Sequence, residues 1–382
     1  MNEQSPVLVS SLVGRQRELA TARTAVEGAL GGSGVLVVVT GEAGIGKTPL
    51  VDEITGTVPA RTLWGSCWND PGTPAFWPWT TVLRDCAADT GIALEDDLAP
   101  VTGVAASVDG PARQLRLRLF DGVASYLGEA ARVRRLVIVL EDLHFADEAS
   151  LDLLRFLATA LRGQPVAILV TYRDPDSEPG RPLADAATDI LRNARSVPLY
   201  GLAQAEVGEL IVATIGSLPS AALTARVRER TGGNPLFVTE VAKLLAAQGN
   251  LEAEHIPIPP SVQQVIADRL GYLSGDTLDL LAQASVVGQT FSRSLLARVV
   301  DTPAGRIADL LEEAMLAGLV RPRATLDQFG FTHALIRDVL YAGVPVAARR
   351  TRHRLIAEAI ESLHARNLDD HADELADHYV LA

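Results

Sequence analysis

The eight residues Gly41-Glu-Ala-Gly-Ile-Gly-Lys-Thr48 constrain this chain more than any other feature of it. They follow a β-branched run, Val35–Thr40, and lead into a helical pattern, Pro49–Ile54. A buried strand, a glycine-rich turn and a helix in that order make a cradle for phosphate. Glycines let the backbone curl, so that N–H groups across Gly41, Ala43, Gly44, Ile45 and Gly46 converge on an anion. The helix N-terminus adds partial positive charge. Lys47 supplies a full charge to the β- and γ-phosphates, and Thr48 offers a hydroxyl to Mg²⁺. Pro49 suits the first helical turn, where no backbone hydrogen bond is lost.

The first half supports such a loop. Apolar segments at Arg61–Trp64, Leu136–Leu140, Val166–Thr171 and Ser196–Leu199 alternate with helical patterns such as Ala149–Leu161. Strands that are apolar on both faces, separated by helices, predict a parallel sheet covered on both sides. The run Leu136-Val-Ile-Val-Leu ends in Glu141 and Asp142. One carboxylate there is expected to hold Mg²⁺ and the other to orient or deprotonate an attacking water. Position assigns Glu141 to the metal and Asp142 to the water, with the exchanged assignment left open. If the strand Val166–Thr171 lies between the loop strand and the acidic strand, Arg173 just beyond it points at the γ-phosphate.

Composition sets outer limits. The chain has 382 residues, which predicts two or three domains. Its net charge of −13 disfavours broad electrostatic binding of DNA by this segment. The basic stretches Arg113–Arg118 and Arg349–Arg354 are the candidates for a local basic patch, and their simpler reading is solvated helix faces. Cys67 and Cys86 lack partners at metal-ligand spacing and read as small apolar residues in a reducing compartment. No secretory leader is legible and no apolar run is long enough to span a bilayer, so the expected location is the cytoplasm, away from membranes. All four tryptophans, Trp64, Trp68, Trp77 and Trp79, crowd into one proline-rich stretch, which reads as a rigid aromatic loop packed on the sheet, with a contact surface for a partner or effector as the alternative.

Beyond Tyr200 helical patterns dominate: Ala203–Ile215, Ser220–Thr231 and Leu236–Gln248, then a proline-rich joint at residues 256–260, then further helices. Leu319–Arg323 and Gln328–Phe331 are placed to pair as a hairpin. Helices followed by a small hairpin predict a winged-helix unit. The expected layout is a P-loop nucleotide-binding domain over 1–200, a helical domain over 201–255 and a winged-helix domain over 256–350. Residues 351–382 would begin a further helical region, and the uncapped apolar last helix suggests that more chain follows.

Taken in order, these motifs resemble the STAND-class ATPases, and within them the large ATP-binding regulators of the LuxR type. Leu12-Val-Gly-Arg-Gln-Arg-Glu-Leu19 resembles the family's N-terminal motif beside adenine, which implicates Val13, Gly14 and Arg15. Leu140-Glu-Asp-Leu-His-Phe-Ala-Asp147 resembles its acidic strand, and Thr171-Tyr-Arg-Asp174 its first sensor, with Arg173 as the sensing side chain. Thr231-Gly-Gly-Asn-Pro-Leu-Phe237 resembles the segment whose proline, here Pro235, packs on the base. Phe331-Thr-His-Ala-Leu-Ile-Arg337 resembles the segment whose histidine, here His333, touches the ADP β-phosphate. Pro49 and Phe145 depart from the family's usual residues without removing a chemical group.

The resemblance implies a slow ATPase that is closed with ADP, opened by ATP and self-associating in the ATP state. Its DNA-binding part would lie elsewhere in a longer chain. A motor or loader ATPase working as a ring would instead require an arginine finger, for which Arg192 and Arg195 are unmarked candidates. A small-molecule kinase would require an acceptor pocket that the helical half does not display.

Overall fold

The structure, a computed structural model, describes residues 12–68, 74–95, 98–102, 112–172, 190, 192, 194–249, 256–300, 302–323, 327–365 and 368–382. Contacts divide the chain into two compact units, the first ending at Tyr200 and the second beginning at Gly201.

Within the N-terminal unit, five described strands form a parallel sheet: β1 (Val35–Thr40), β2 (Arg61–Ser66), β3 (Leu136–Glu141), β4 (Val166–Tyr172) and β5 (Arg195–Pro198). Their order is β2-β3-β4-β1-β5. Side chains alternate along each strand, so one sequence run feeds two cores. Leu36, Val38, Ile138, Leu140, Ile168 and Val170 face one way, toward α3 (Trp77–Thr90), α5 (Ala112–Val133) and α6 (Glu148–Ala160). Val37, Val39, Val137, Val139 and Leu169 face the other, toward α1 (Gln16–Leu30) and α2 (Lys47–Thr57). Both faces are covered, which explains why these strands read as unbroken apolar runs. A single turn, α4 (Ala99–Thr102), precedes α5.

The tryptophan stretch departs from the expected loop. Trp64 lies in β2, while Trp77 and Trp79 lie in the first turn of α3. Pro78 sits where a helix tolerates it, so the prolines mark a helix start. Trp79 is fully buried, and its indole N–H donates to the Ser150 carbonyl at 3.1 Å. Trp68 remains largely exposed. Cys67 and Cys86 are buried free thiols, and burial, followed by the nearby Asp147, pushes Cys67 up to about 12. An uncharged buried thiol is a packing group, as the sequence reading held.

The C-terminal unit begins with α7 (Gln204–Ile215), α8 (Ala221–Thr231) and α9 (Pro235–Ala247), which share a core that includes Val207, Ile211, Val227 and Val241. Then follow α10 (Pro260–Leu270), α11 (Gly275–Val287), β6 (Thr290–Ser292), α12 (Arg293–Val299), α13 (Ala304–Leu316), β7 (Val320–Pro322) and β8 (Gln328–Phe331). The chain closes with α14 (Ala334–Gly343), α15 (Val346–Leu363) and α16 (Ala372–Leu381). The expected hairpin is present: β7 pairs antiparallel with β8, which also pairs with β6. Arg349, in the basic stretch on α15, stacks on Tyr341 at 4.5 Å and donates to the Val344 and Ala342 carbonyls. Among the described residues no helix is long and apolar enough to cross a membrane.

A pair of buried histidines ties α15 to α16. His353 and His378 approach Nδ1 to Nδ1 at 2.8 Å, and the Tyr341 hydroxyl lies 3.2 Å from His353 Nε2. The N···N contact requires one ring to donate and the other to accept, so the pair cannot be doubly protonated and stay bonded. Burial, then His378, Arg337 and Arg349, lower His353 to about 4, and burial likewise lowers His378. A depressed histidine stabilises the fold above its unfolded value and loses that contribution as pH falls through the folded value. Stability of the C-terminal unit is therefore expected to decline as pH drops from 6.5 toward about 4. Urea unfolding across that range checks this. A His353→Leu, His378→Leu variant should show a flatter pH profile, and an unchanged profile would contradict the assignment.

Candidate functional site

The phosphate-loop residues meet at the C-terminal end of the parallel sheet, where ligands bind in open α/β folds. Gly41, Gly44 and Gly46 have φ values of 146°, 78° and 100°, a region that side chains disfavour. At Gly41 the need is doubled, since a Cβ would sit 2.8 Å from the Leu199 carbonyl oxygen and 2.9 Å from Ile45 Cγ2. Beside Gly46 a Cβ would meet nothing within 4 Å, so there the backbone conformation alone calls for glycine. Ala43 is half-buried, Ile45 anchors the loop in the core, and Pro49 is exposed on the first turn of α2. Lys47 is buried, and its Nζ donates to the Gly41 and Glu42 carbonyls at 2.9 and 3.0 Å.

The sheet order sets the second half of the site. β4 lies between β1 and β3, as the sensor reading requires. Across that gap the Thr48 hydroxyl donates to Glu141 Oε1 at 2.8 Å, although the two residues are 93 positions apart. Hydroxyl and carboxylate oxygens are the hard donors that Mg²⁺ takes, so this pair fits the ion. Asp142 takes a left-handed conformation, with φ 52° and ψ 46°. Its backbone N–H donates to Thr171 Oγ1 at 2.9 Å, which fastens the acidic turn to β4. The Asp142 side chain is exposed, with Oδ1 3.9 Å from Nδ1 of the buried His144. Arg173 lies outside the described residues.

Arg15 is fixed largely by backbone carbonyls. It is buried, and its guanidinium donates to the Ile45 carbonyl at 3.1 Å and the Tyr200 carbonyl at 2.6 Å. It thus clamps the phosphate loop to the segment just after β5. Val13 and Gly14 are half-buried beside it. Two further positioning residues escaped sequence reasoning. Thr171 carries the bond to Asp142. Asp147 caps α6 through Ser150 N at 3.0 Å and also accepts from Phe76 N at 3.3 Å. Their places in the acidic-strand and sensor motifs were the available signal.

In the C-terminal unit the two remaining motifs come together. Thr231 bonds the Val227 carbonyl and accepts from Gly233 N, while Asn234 caps α9 and leaves half-buried Pro235 at its first turn. His333 is buried against this segment, with its ring edge-on to Phe237 at 5.2 Å. A Cβ on Gly232 would lie 2.5 Å from His333 Nδ1. Pro235 and His333, 98 positions apart in sequence, thereby belong to one packed neighbourhood.

Comparison with known proteins agrees with this geometry. Residues 11–170 match the AAA ATPase domain model. The walker-type ATPase of Pyrococcus abyssi superposes with a TM-score of 0.59 at 14% identity, covering 89% of this chain and 99% of that one. A STAND protein with a tetratricopeptide repeat sensor from Pyrococcus horikoshii aligns with a TM-score of 0.41 at 16% identity, over 98% of this chain and 54% of its own. An uncharacterized protein of Rhizobium meliloti is 24% identical over 91% of this chain, which spans 37% of that protein's length. Residues 11–170 thus carry the match to an AAA-type P-loop ATPase domain, and such a domain implies nucleotide binding.

Proposed function

We propose that this chain is an ATP- and ADP-binding switch that hydrolyses ATP slowly, as part of a regulator of the kind its motif series resembles. The observation that carries the reading is the geometry at the glycine-rich loop, where Lys47 is buried against the loop carbonyls and the Thr48 hydroxyl bonds Glu141. In this reading Val13, Gly14 and Arg15 lie toward the base, and the loop N–H groups and Lys47 hold the phosphates. Thr48 with Glu141 or Asp142 would hold Mg²⁺. That ion, when bound, would neutralise charge on the β- and γ-phosphate oxygens. The other carboxylate takes the proton of the attacking water, a bond forms from that oxygen to the γ-phosphorus, and the bond to the bridging oxygen of ADP breaks. Arg173 senses the γ-phosphate.

The switch half of the reading rests on His333 and Pro235. ADP engages both, and holds the closed state. ATP replaces it, releases that state and frees surfaces for self-association, and hydrolysis resets the cycle. DNA would be read by another part of a longer chain, in the cytoplasm, with the region that contains β6, β7 and β8 acting as a winged-helix unit.

Asp142→Asn should lower hydrolysis by roughly 10²- to 10⁴-fold while ATP still binds, and Glu141→Gln should raise the Mg²⁺ needed. The reverse pattern would exchange the two roles, and wild-type hydrolysis in both variants would refute the site. His333→Ala should weaken ADP retention more than ATP binding, as measured by fluorescent-nucleotide displacement. Equal loss of both would remove His333 from the switch.

A further inference from the structure

A single side chain grips both the phosphate loop and the joint between the two compact units. The first unit ends at Tyr200 and the second begins at Gly201, so the Tyr200 carbonyl belongs to the peptide bond that joins them. Arg15 Nη2 donates to that carbonyl at 2.6 Å and to the Ile45 carbonyl at 3.1 Å. A terminal guanidinium nitrogen carries two hydrogens, and here each has its own acceptor. The Tyr200 ring is largely exposed, so the grip on this residue runs through its backbone.

The two bonds fix a pair of peptide planes. Among the described residues no peptide bond is cis, and in a trans peptide the C=O and the following N–H point in opposite directions. The bond to Ile45 therefore turns the Gly46 N–H away from Arg15, and the bond to Tyr200 does the same for the Gly201 N–H. The N–H groups of such a glycine-rich turn are the donors that hold an anion. An anion seated there acts on the Ile45–Gly46 plane, and the rigid, planar guanidinium carries that constraint to the Tyr200–Gly201 plane. Arg15 is only 4% exposed, and Glu18 lies 3.8 Å from its other terminal nitrogen, so the side chain has little room to give.

Past the joint, within the second unit, the backbone runs close against the motif that contains Pro235. The Leu202 N–H donates to the Gly233 carbonyl at 2.8 Å. A Cβ on Gly201 would strike the Gly232 carbonyl, and one on Gly233 would strike the Leu202 carbonyl. Gly232 in turn lies against the His333 ring. The series Gly46, Arg15, Gly201 and Gly233 is thus contiguous, each step a bond or a close backbone contact. A contiguous series carries coupling between sites when its elements have two arrangements.

We propose that Arg15 is a positioning residue that couples phosphate occupancy of the loop to the paired segments around Gly201 and Gly233. The proposal rests on the ADP/ATP switch reading and names the side chain through which that switch is transmitted.

Amide hydrogen exchange of the full chain, read by mass spectrometry with and without ADP and Mg²⁺ at concentrations that saturate each variant, tests this. In wild type the ligand should slow exchange both in residues 41–48 and in residues 200–203. In Arg15→Met, which keeps an apolar stem and donates nothing, protection of 41–48 should persist while the change at 200–203 shrinks by about fivefold or more. His333→Ala should keep the change at 200–203, because the route through Arg15 does not pass through that ring. Arg15→Lys, with its donors on a shorter stem, should fall between wild type and Arg15→Met, and it keeps the test decisive if Arg15→Met does not fold. Protection at 200–203 that survives in Arg15→Met, that equals wild type in Arg15→Lys, or that His333→Ala removes overturns the proposal. A wild-type chain whose loop is protected and whose joint is not overturns it as well. No protection of 41–48 in wild type would instead contradict the nucleotide reading itself.

Discussion

Lys47→Ala is expected to lose nucleotide almost completely, while the fold survives. Lys47 is buried, and its ammonium is held over the loop by two carbonyls. Removing one partner of a buried, hydrogen-bonded charge pair costs on the order of 2–5 kcal/mol. At the upper end that exceeds about a thousandfold in affinity. The protein itself gives up the Lys47 Nζ bonds to the Gly41 and Glu42 carbonyls, a loss offset in part by removing a buried charge, so thermal unfolding should shift by only a few degrees. Equilibrium binding of a fluorescent ADP analogue, read beside circular dichroism, separates the two effects. Wild-type affinity in the folded variant would mean that the loop does not hold phosphate.

The second large effect lies far from the loop in sequence. Gly232 has φ +63°, and a Cβ there would fall 2.5 Å from Nδ1 and 2.9 Å from Cε1 of His333. Gly232→Ala therefore combines a left-handed alanine with overpacking of a buried ring that already leans on Phe237. The sum is roughly 2–4 kcal/mol of destabilisation in the C-terminal unit. Truncating the ring as well, in Gly232→Ala with His333→Ala, removes the overpacking and leaves the backbone cost. Denaturant unfolding of the four proteins of this cycle should show a coupling of more than about 1 kcal/mol. Simple additivity would mean that the two residues do not press on each other, and would weaken the case for treating their motifs as one structure.

Much of the N-terminal unit was legible because its signals are local. A β-branched run, a glycine turn and a following helix are read within twenty residues, and the hairpin of β7 and β8 is similarly short-range. Sheet order was not legible, because strand pairing is decided by tertiary packing. The position of β4 between β1 and β3 entered the reading only as a condition. The aromatic stretch misled for a local reason. Prolines at 74 and 78 signal a loop, yet Pro78 also suits a first helical turn, and α3 begins there.

Arg15 shows a different limit. Its motif implied a place in the sequence beside the base, but not its bonds to the backbone carbonyls of Ile45 and Tyr200, because backbone acceptors leave no trace in side-chain sequence. The same holds for Thr171, whose partner is the Asp142 backbone.

The most direct test of the central claim is to purify the chain without added nucleotide, denature it and identify what is released by ion-exchange chromatography. Near-stoichiometric ADP is the predicted result, with none released from Lys47→Ala. A wild-type chain that releases no nucleotide, binds none when ADP or ATP is added, and so behaves like Lys47→Ala would contradict the account.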